Sequence, residues 1–315
     1  METFHKYMYD NNFTFFDRKD IIVKDTIGSG YIGEVFTGSL KLLDNEQPVV
    51  IKRIRSNFYD KGIHDEYLFN DVKDEVRIAR LFMDKAKQLI RFYGYSCRVI
   101  EDEICLYIIM EKTSADYDLA KHIYSDCYWK KLTKEEYDVT HSNLVLSHNG
   151  KYWEYIMSQK NKYDIMISMA TAVKELHSYN IVHCDLKPHN MLFTDKGVTI
   201  IDFNASCYMG KETEHMGKRE QGTPGYMAKE LYRGYITYSS DIYSLGVSFL
   251  EVWFGDIWPK QTDRYSKCRK YVLDYLSLLS DNKQLHDLIS KMVHTQPTRR
   301  PKIDGIINSL TMLNK

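Results

Sequence analysis

The sequence predicts an α+β protein of two lobes, a small antiparallel β-sheet carrying one helix followed by a larger, mainly α-helical part. Three observations predict it. Residues 21–55 alternate apolar and polar positions around glycine turns, residues 70–83 change to helical spacing, and the stretch from 113 to 315 keeps helical spacing in its clearest apolar runs. A chain of 315 residues exceeds one typical domain and falls short of three, so one large unit or two closely joined ones are expected.

Residues 1–20 form an N-terminal extension in which Phe4, Tyr7, Tyr9, Phe13, Phe15 and Phe16 stand among polar neighbours, a pattern suited to packing on a nearby surface. The first lobe is placed at 21–112. It opens with IIVKDTIGSG and EVFTGSL, two strand patterns around a glycine turn, followed by a turn at DNEQP and the strand VVIKRI. Val72, Val76, Ala79 and Met83 then fall on one helical face, with Glu75 on its edge. LIRFYGYSC and EICLYIIMEK return to strand, the second apolar enough to be buried on both faces. In the second lobe, 113–315, Ile165, Met169, Ala172, Val173 and Leu176 predict one helix, and Ile242, Leu245, Phe249, Leu250 and Trp253 another. About residues 125–160 lack clean periodicity and read as an insertion, with a small hairpin at Asn149 and Gly150.

Composition excludes several classes. Lys and Arg number 43, as do Asp and Glu, and no long basic run exists, so neither nucleic acid nor an anionic membrane is an expected partner. No stretch approaches the ~20 apolar residues of a spanning helix. The opening METFHKYMYDNNF lacks the basic-then-apolar order of a signal peptide, so a cytoplasmic or nuclear location is expected. Six cysteines without a CxxC pair fit reduced structural thiols and no cysteine-held metal.

Chemistry concentrates at a few places. Gly28, Gly30 and Gly33 form GxGxxG, where missing side chains let backbone amides approach phosphate oxygens. A dinucleotide-binding fold requires a helix after the last glycine, whereas EVFTGSL reads as a strand; the glycines therefore fit a hairpin covering a nucleotide. Lys52 stands alone in an apolar strand. Either it snorkels to water, or it is buried and needs a partner, for which Glu75 has better helical phase than Asp71 or Asp74. Finally, IVHCDLKPHNMLF packs Asp185, Lys187 and Asn190 between two short apolar runs.

HCDLKPHN resembles the HxDxKxxN catalytic loop of eukaryotic-type protein kinases. The similarity continues in order: the glycine loop at 28–33, Lys52 in VVIK, DFN at 202–204 in place of DFG, GTPGYMAKE at 222–230, SDIYSLGVSFLE at 240–251 and QPTRRP at 296–301. It implies a bilobal protein kinase-like fold that uses ATP and Mg2+ and acts on protein Ser/Thr hydroxyls. It also implies the roles: Asp185 takes or orients the substrate proton, Lys187 places a cation beside the transferring group, Thr223 bonds this loop, and Lys52 pairs with Glu75. Asn190 and Asp202 would hold magnesium. Ile27, Val35, Val50 and Leu192 would enclose adenine, with the chain at Met110, Glu111, Lys112 and Thr113 reading its edge.

The Leu-Lys-Pro sequence at 186–188 and Thr223 resemble serine/threonine kinases, and the interval from Asp202 to Glu230 suits a protein substrate over a small molecule. Cys184 stands where many members have an arginine that binds an activation-segment phosphate, which implies independence from such phosphorylation. Replacing every Ser, Thr and Tyr between 203 and 229 is accordingly expected to spare most turnover, and a collapse would refute this. Asn204 in the DFG glycine position is expected to supply a left-handed backbone, Lys229 replaces the proline of APE, and Glu230 is expected to pair with Arg300. These departures motivate the rival reading, a pseudokinase scaffold. The lean toward Tyr, Lys, Ile and Asp fits an AT-rich genome, such as that of a large DNA virus or a protist.

Overall fold

The computed structural model describes residues 6, 8–9, 13–30, 33–42, 45–55, 65–83, 85–100, 103–115, 118–125, 129–133, 145–148, 151–155, 157–217, 222–255, 257–258 and 265–315. The chain divides into two compact units, residues 1–114 and 115–315.

In the first unit the alternating segments become β1 (Ile21–Gly30), β2 (Gly33–Leu42), β3 (Asn45–Arg55), β4 (Phe92–Ile100) and β5 (Glu103–Glu111), an antiparallel sheet in the order β1-β2-β3-β5-β4. Central β5 is buried from Cys105 through Ile109, which explains why its sequence is apolar without alternation. Ile21, Phe36, Leu40, Val49, Ile51, Cys105, Tyr107 and Ile109 form one core cluster. Each such side chain contributes about 1.5–3 kcal/mol on burial. α1 (Asp65–Phe82) buries Val72, Val76 and Ala79, the face its spacing predicts.

Residues of the aromatic extension add to the outer edge of this sheet. Tyr95 N–H donates to the Thr14 carbonyl and Phe16 N–H to the Tyr95 carbonyl, both at 2.9 Å. Gly94 makes the approach possible, because a Cβ there would lie 2.1 Å from the Thr14 oxygen. Phe4 and Tyr7 lie outside the described residues.

The second unit begins with α2 (Leu119–Ile123), capped by Asp118, whose Oδ1 accepts the Lys121 N–H at 2.9 Å. Within the insertion, β6 (Trp129–Leu132), β7 (Val145–His148) and β8 (Lys151–Tyr155) make a small sheet in the order β6-β8-β7. The register pairs His148 with Lys151; the hairpin turn expected at Asn149 and Gly150 lies outside the described residues. α3 (Gln159–Ser178) follows, capped by Ser158. Then come β9 (Ile181–Val182), β10 (Met191–Thr194), β11 (Gly197–Ile200), β12 (Cys207–Tyr208), β13 (Glu214–Met216) and β14 (Tyr235–Thr237). The helices α4 (Tyr238–Phe254), α5 (Tyr265–Ser277), α6 (Lys283–Met292) and α7 (Ile303–Leu313) complete the unit. α4 is buried from Ser240 to Phe254, so it is the central post of its unit rather than a surface helix.

Lys162 of α3 is an unexpected buried lysine. Its Nζ donates to the Trp253 carbonyl at 2.7 Å, in the last turn of α4, and lies 5.0 Å from the centre of the Trp253 ring. Burial pulls its ammonium from the usual 10.5 down to about 8. Below about 8 both folded and unfolded chains carry the proton and the cost of burying the charge is fully felt. Between 8 and 10.5 the unfolded chain holds a proton that the folded one has released, so stability rises with pH. Relative to Lys162→Met, the native protein is therefore expected to gain about 3 kcal/mol from pH 7 to pH 10.5, read by urea unfolding of both proteins across that range.

Candidate active site

In the first unit, β1 and β2 pair to Gly30↔Gly33, so the GxGxxG segment is a β-hairpin; its tip residues Tyr31 and Ile32 lie outside the described set. The glycines differ in what requires them. A Cβ at Gly33 would fall 2.3 Å from the Arg53 carbonyl of β3, so close strand packing demands that glycine, whereas a Cβ at Gly28 meets nothing within 4 Å. Ile27, Val35, Val50 and Met110 keep part of their surface exposed, while the neighbouring Phe36, Val49 and Ile51 are buried. Glu111 and Thr113 are half-buried as well.

Lys52 is buried on β3, and its Nζ donates to both carboxylate oxygens of Glu75 at 3.0 Å each. Glu75 is 1% exposed. Helical phase decides the partner, because Glu75 lies between the buried Val72 and Val76 while Asp74 is exposed.

In the second unit the apolar flanks of HCDLKPHN are β9 and β10, and the polar residues between them are held from below. Asp241 of α4, 0% exposed, accepts the His183 N–H at 2.8 Å and the Cys184 N–H at 3.0 Å, and it contacts His177 Nε2 at 2.9 Å. Cys184 takes a left-handed backbone, φ 66, at this point. His183 Nδ1 accepts the Asp185 N–H at 3.3 Å, which puts the ring proton on Nε2, 3.1 Å from the Ile201 carbonyl. The loop is thereby fixed on both sides of Asp185.

Asp185 Oδ2 accepts from Lys187 Nζ at 3.0 Å and from Asn190 Nδ2 at 2.9 Å. Its Oδ1 is buried and has no hydrogen-bond partner among the described residues. Lys187 Nζ also donates to Thr223 Oγ1 at 2.6 Å, joining the loop to GTPGYMAKE.

The β10–β11 hairpin brings the two predicted metal ligands to one end. Met191 pairs with Ile200, and the Ile201 N–H donates to the Asn190 carbonyl at 3.0 Å, so Asn190 and Asp202 flank the same hairpin terminus. Asn190 spends its amide N–H groups on Asp185, which leaves its amide oxygen as a ligand. An amide oxygen beside a carboxylate is a hard donor set that fits Mg2+. No group of three or more His, Cys, Asp or Glu stands together as a metal cluster among the described residues.

One expectation about this turn is corrected. The left-handed residue is Asp202, φ 63, and Asn204 is not among the residues with positive φ. Asn204 instead donates from Nδ2 to Asp202 Oδ1 at 2.5 Å, a bond that glycine could not make. The substitution therefore orients the carboxylate through a side chain rather than relaxing the backbone.

Glu230 and Arg300 are paired as expected: Arg300 Nη2 donates to Glu230 Oε2 at 3.0 Å, and the guanidinium also reaches the Ser239 and His294 carbonyls. Lys229 is exposed, so the lost proline leaves no cavity. Cys184 lies in an apolar cluster with Val182, Met209, Met227, Leu231 and Ile236, and burial pushes its thiol well above the ordinary range.

Sequence reasoning missed Asp241, and it missed a network around Tyr226. Glu251 of α4, 0% exposed, accepts the Tyr124 hydroxyl at 2.7 Å and the Tyr226 hydroxyl at 2.8 Å, and Trp258 Nε1 donates to the Tyr226 oxygen at 3.0 Å. The available signal was two acids, Asp241 and Glu251, as the only charged residues of a largely apolar helix. Thr223 and Tyr226 thus hold the segment in place, so both must stay in any test of activation-segment phosphorylation.

Comparison with known proteins places this geometry. The protein kinase domain family matches residues 21–310. A protein of Acanthamoeba polyphaga mimivirus named as a serine/threonine-protein kinase is 32% identical over 152 residues, 47% of this chain and 55% of its own. A leaf rust 10 disease-resistance locus receptor-like protein kinase-like protein of Arabidopsis thaliana is 27% identical over 272 residues, 84% of this chain and 36% of its own. Serine/threonine-protein kinase MPS1 of Encephalitozoon cuniculi is 28% identical over 215 residues, 66% of this chain and 35% of its own. The chain spans about half or less of the length of these curated relatives. With the catalytic-loop, glycine-hairpin and segment-anchoring residues all inside the matched span, the chain belongs to the protein kinase domain family.

Proposed function

We propose that the chain is a serine/threonine protein kinase that transfers the γ-phosphate of ATP to protein hydroxyls without needing a phosphate on its own activation segment. The observation that carries this reading is the asymmetry of Asp185: one oxygen is tied to Lys187 and Asn190, the other is buried and has no partner among the described residues. A buried carboxylate oxygen without a donor is costly unless a ligand supplies one, and a substrate hydroxyl is a donor of the right kind. Lys187 steadies that carboxylate and brings positive charge beside the transferring group. Mg2+, when bound with the nucleotide at Asn190 and Asp202, would neutralise charge on the phosphate oxygens. Lys52, oriented by Glu75, binds the phosphates, and Ile27, Val35, Val50 and Leu192 take the adenine. The sequence Leu186-Lys187-Pro188 and the Lys187–Thr223 bond favour Ser/Thr over Tyr acceptors. No helix among the described residues is long and apolar enough to cross a membrane.

The test is transfer of labelled γ-phosphate to a generic basic protein, followed by phosphoamino-acid analysis. Phosphoserine and phosphothreonine are expected; phosphotyrosine alone overturns the acceptor class, and a signal no greater than that of Asp185→Asn overturns catalysis in favour of a scaffold. For the regulatory part, Ser206→Ala, Tyr208→Phe and Thr213→Val together remove the remaining hydroxyls between 203 and 229 while keeping Thr223 and Tyr226. This triple variant is expected to retain more than half of the native initial rate, and a tenfold loss refutes phosphate independence.

A further inference from the structure

With Cys184 buried among apolar side chains, the catalytic loop offers no guanidinium at that position to a phosphorylated activation segment. Something else must hold residues 203–230. One end is tied by β12 pairing with β9, Cys207 opposite Val182, and by the Met209 N–H donating to the Asn180 carbonyl at 2.8 Å. The middle is tied by a second ladder: β13 pairs antiparallel with β14, placing Glu214 opposite Thr237, His215 opposite Ile236 and Met216 opposite Tyr235. The Gly217 N–H extends this ladder to the Gly234 carbonyl at 2.7 Å.

The β14 side is held by hydrogen bonds and burial. Gly234, at φ 77, closes the short turn formed by Leu231–Arg233, and the Tyr235 N–H donates to the Glu230 carbonyl at 3.1 Å. Glu230 is itself fixed by Arg300. On the other side Thr237 caps α4, and Ile236 is buried in the same apolar cluster as Cys184. Hence the activation segment is strung to a strand anchored at both of its ends.

We propose that this β13–β14 ladder is the latch that keeps the activation segment ordered, in the place that a bound phosphate would otherwise fill. The proposal rests on the kinase reading above and deepens its regulation. Backbone bonds of this kind need no modification to form, so the latch is set as the chain folds.

The test uses Gly217. Gly217→Pro deletes the N–H that bonds Gly234, and the residue before it, Met216, already has the extended backbone that a following proline requires. Gly217→Ala keeps the N–H and serves as control. Hydrogen exchange, resolved by residue on phosphatase-treated full-length protein, is expected to show Gly217 N–H at least a hundredfold slower than in a free peptide. The proline variant should speed exchange across Glu214–Met216 and lower transfer at least tenfold, with the alanine variant within twofold of native. Exchange of the native Gly217 amide at the free-peptide rate overturns the proposal, as does a tenfold acceleration on phosphatase treatment or a proline variant of native activity. Exchange reads the latch without catalysis, so a protein that transfers no phosphate but protects Gly217 loses the kinase reading and keeps the ladder. Gly234→Ala, strained at φ 77, supplies a second break of the same ladder should the proline variant fail to fold.

Discussion

Asp185→Asn is expected to lower phosphoryl transfer by roughly 10²–10⁴-fold while leaving the fold intact. The two side chains have the same shape, and the asparagine oxygen can take over the bonds that Asp185 Oδ2 accepts from Lys187 and Asn190. What changes is the other atom. An NH2 group then stands where the unpartnered Oδ1 was, so a substrate hydroxyl meets a donor in place of an acceptor and no base remains to receive its proton. Initial rates at saturating nucleotide check the loss, and an unchanged urea midpoint shows that it is chemical rather than structural. Transfer within tenfold of native would remove Asp185 from its assigned role. Asn190→Ala separates the neighbours: it should also raise the magnesium concentration needed for half-maximal rate, because it loses the proposed metal ligand together with the bonds that Asn190 makes to Asp185.

Much of the fold was legible because burial writes periodicity into sequence. α1, α3 and α4 carry apolar residues at helical spacing, the outer strands of the first sheet alternate, buried β5 is apolar throughout, and the strand after Gly33 excludes a dinucleotide-binding turn. Lys52 and Glu75 were legible for the same reason: a charge inside an apolar strand needs a counter-charge, and helical phase named it. The turn at Asp202 was misread because a substitution in a glycine position suggests a backbone explanation first, whereas the asparagine acts through its side chain. Asp241, Glu251 and the β13–β14 ladder were hidden for a different reason. Their partners are backbone amides and hydroxyls far away in sequence, and long-range hydrogen bonds leave no local spacing to detect.

Lys52→Met should cost the first unit about 3–5 kcal/mol and also abolish most turnover. The stability loss follows from what is left behind: Glu75 is 1% exposed and would stay buried with its principal cation gone. A function-only reading of Lys52 predicts a different pattern, loss of turnover at native stability. The double variant Lys52→Met with Glu75→Leu decides between them, since replacing a buried ion pair by apolar groups of similar volume is often neutral or stabilising. It should return the denaturation midpoint close to native while activity stays lost. Should the single variant unfold at the native midpoint, the ion pair contributes nothing to holding α1 on the sheet. Recovery of stability without turnover assigns the two effects to separate causes: burial makes Glu75 depend on a cation, and the proposed phosphate binding requires that cation to be kept where stability alone would accept a hydrophobic pair.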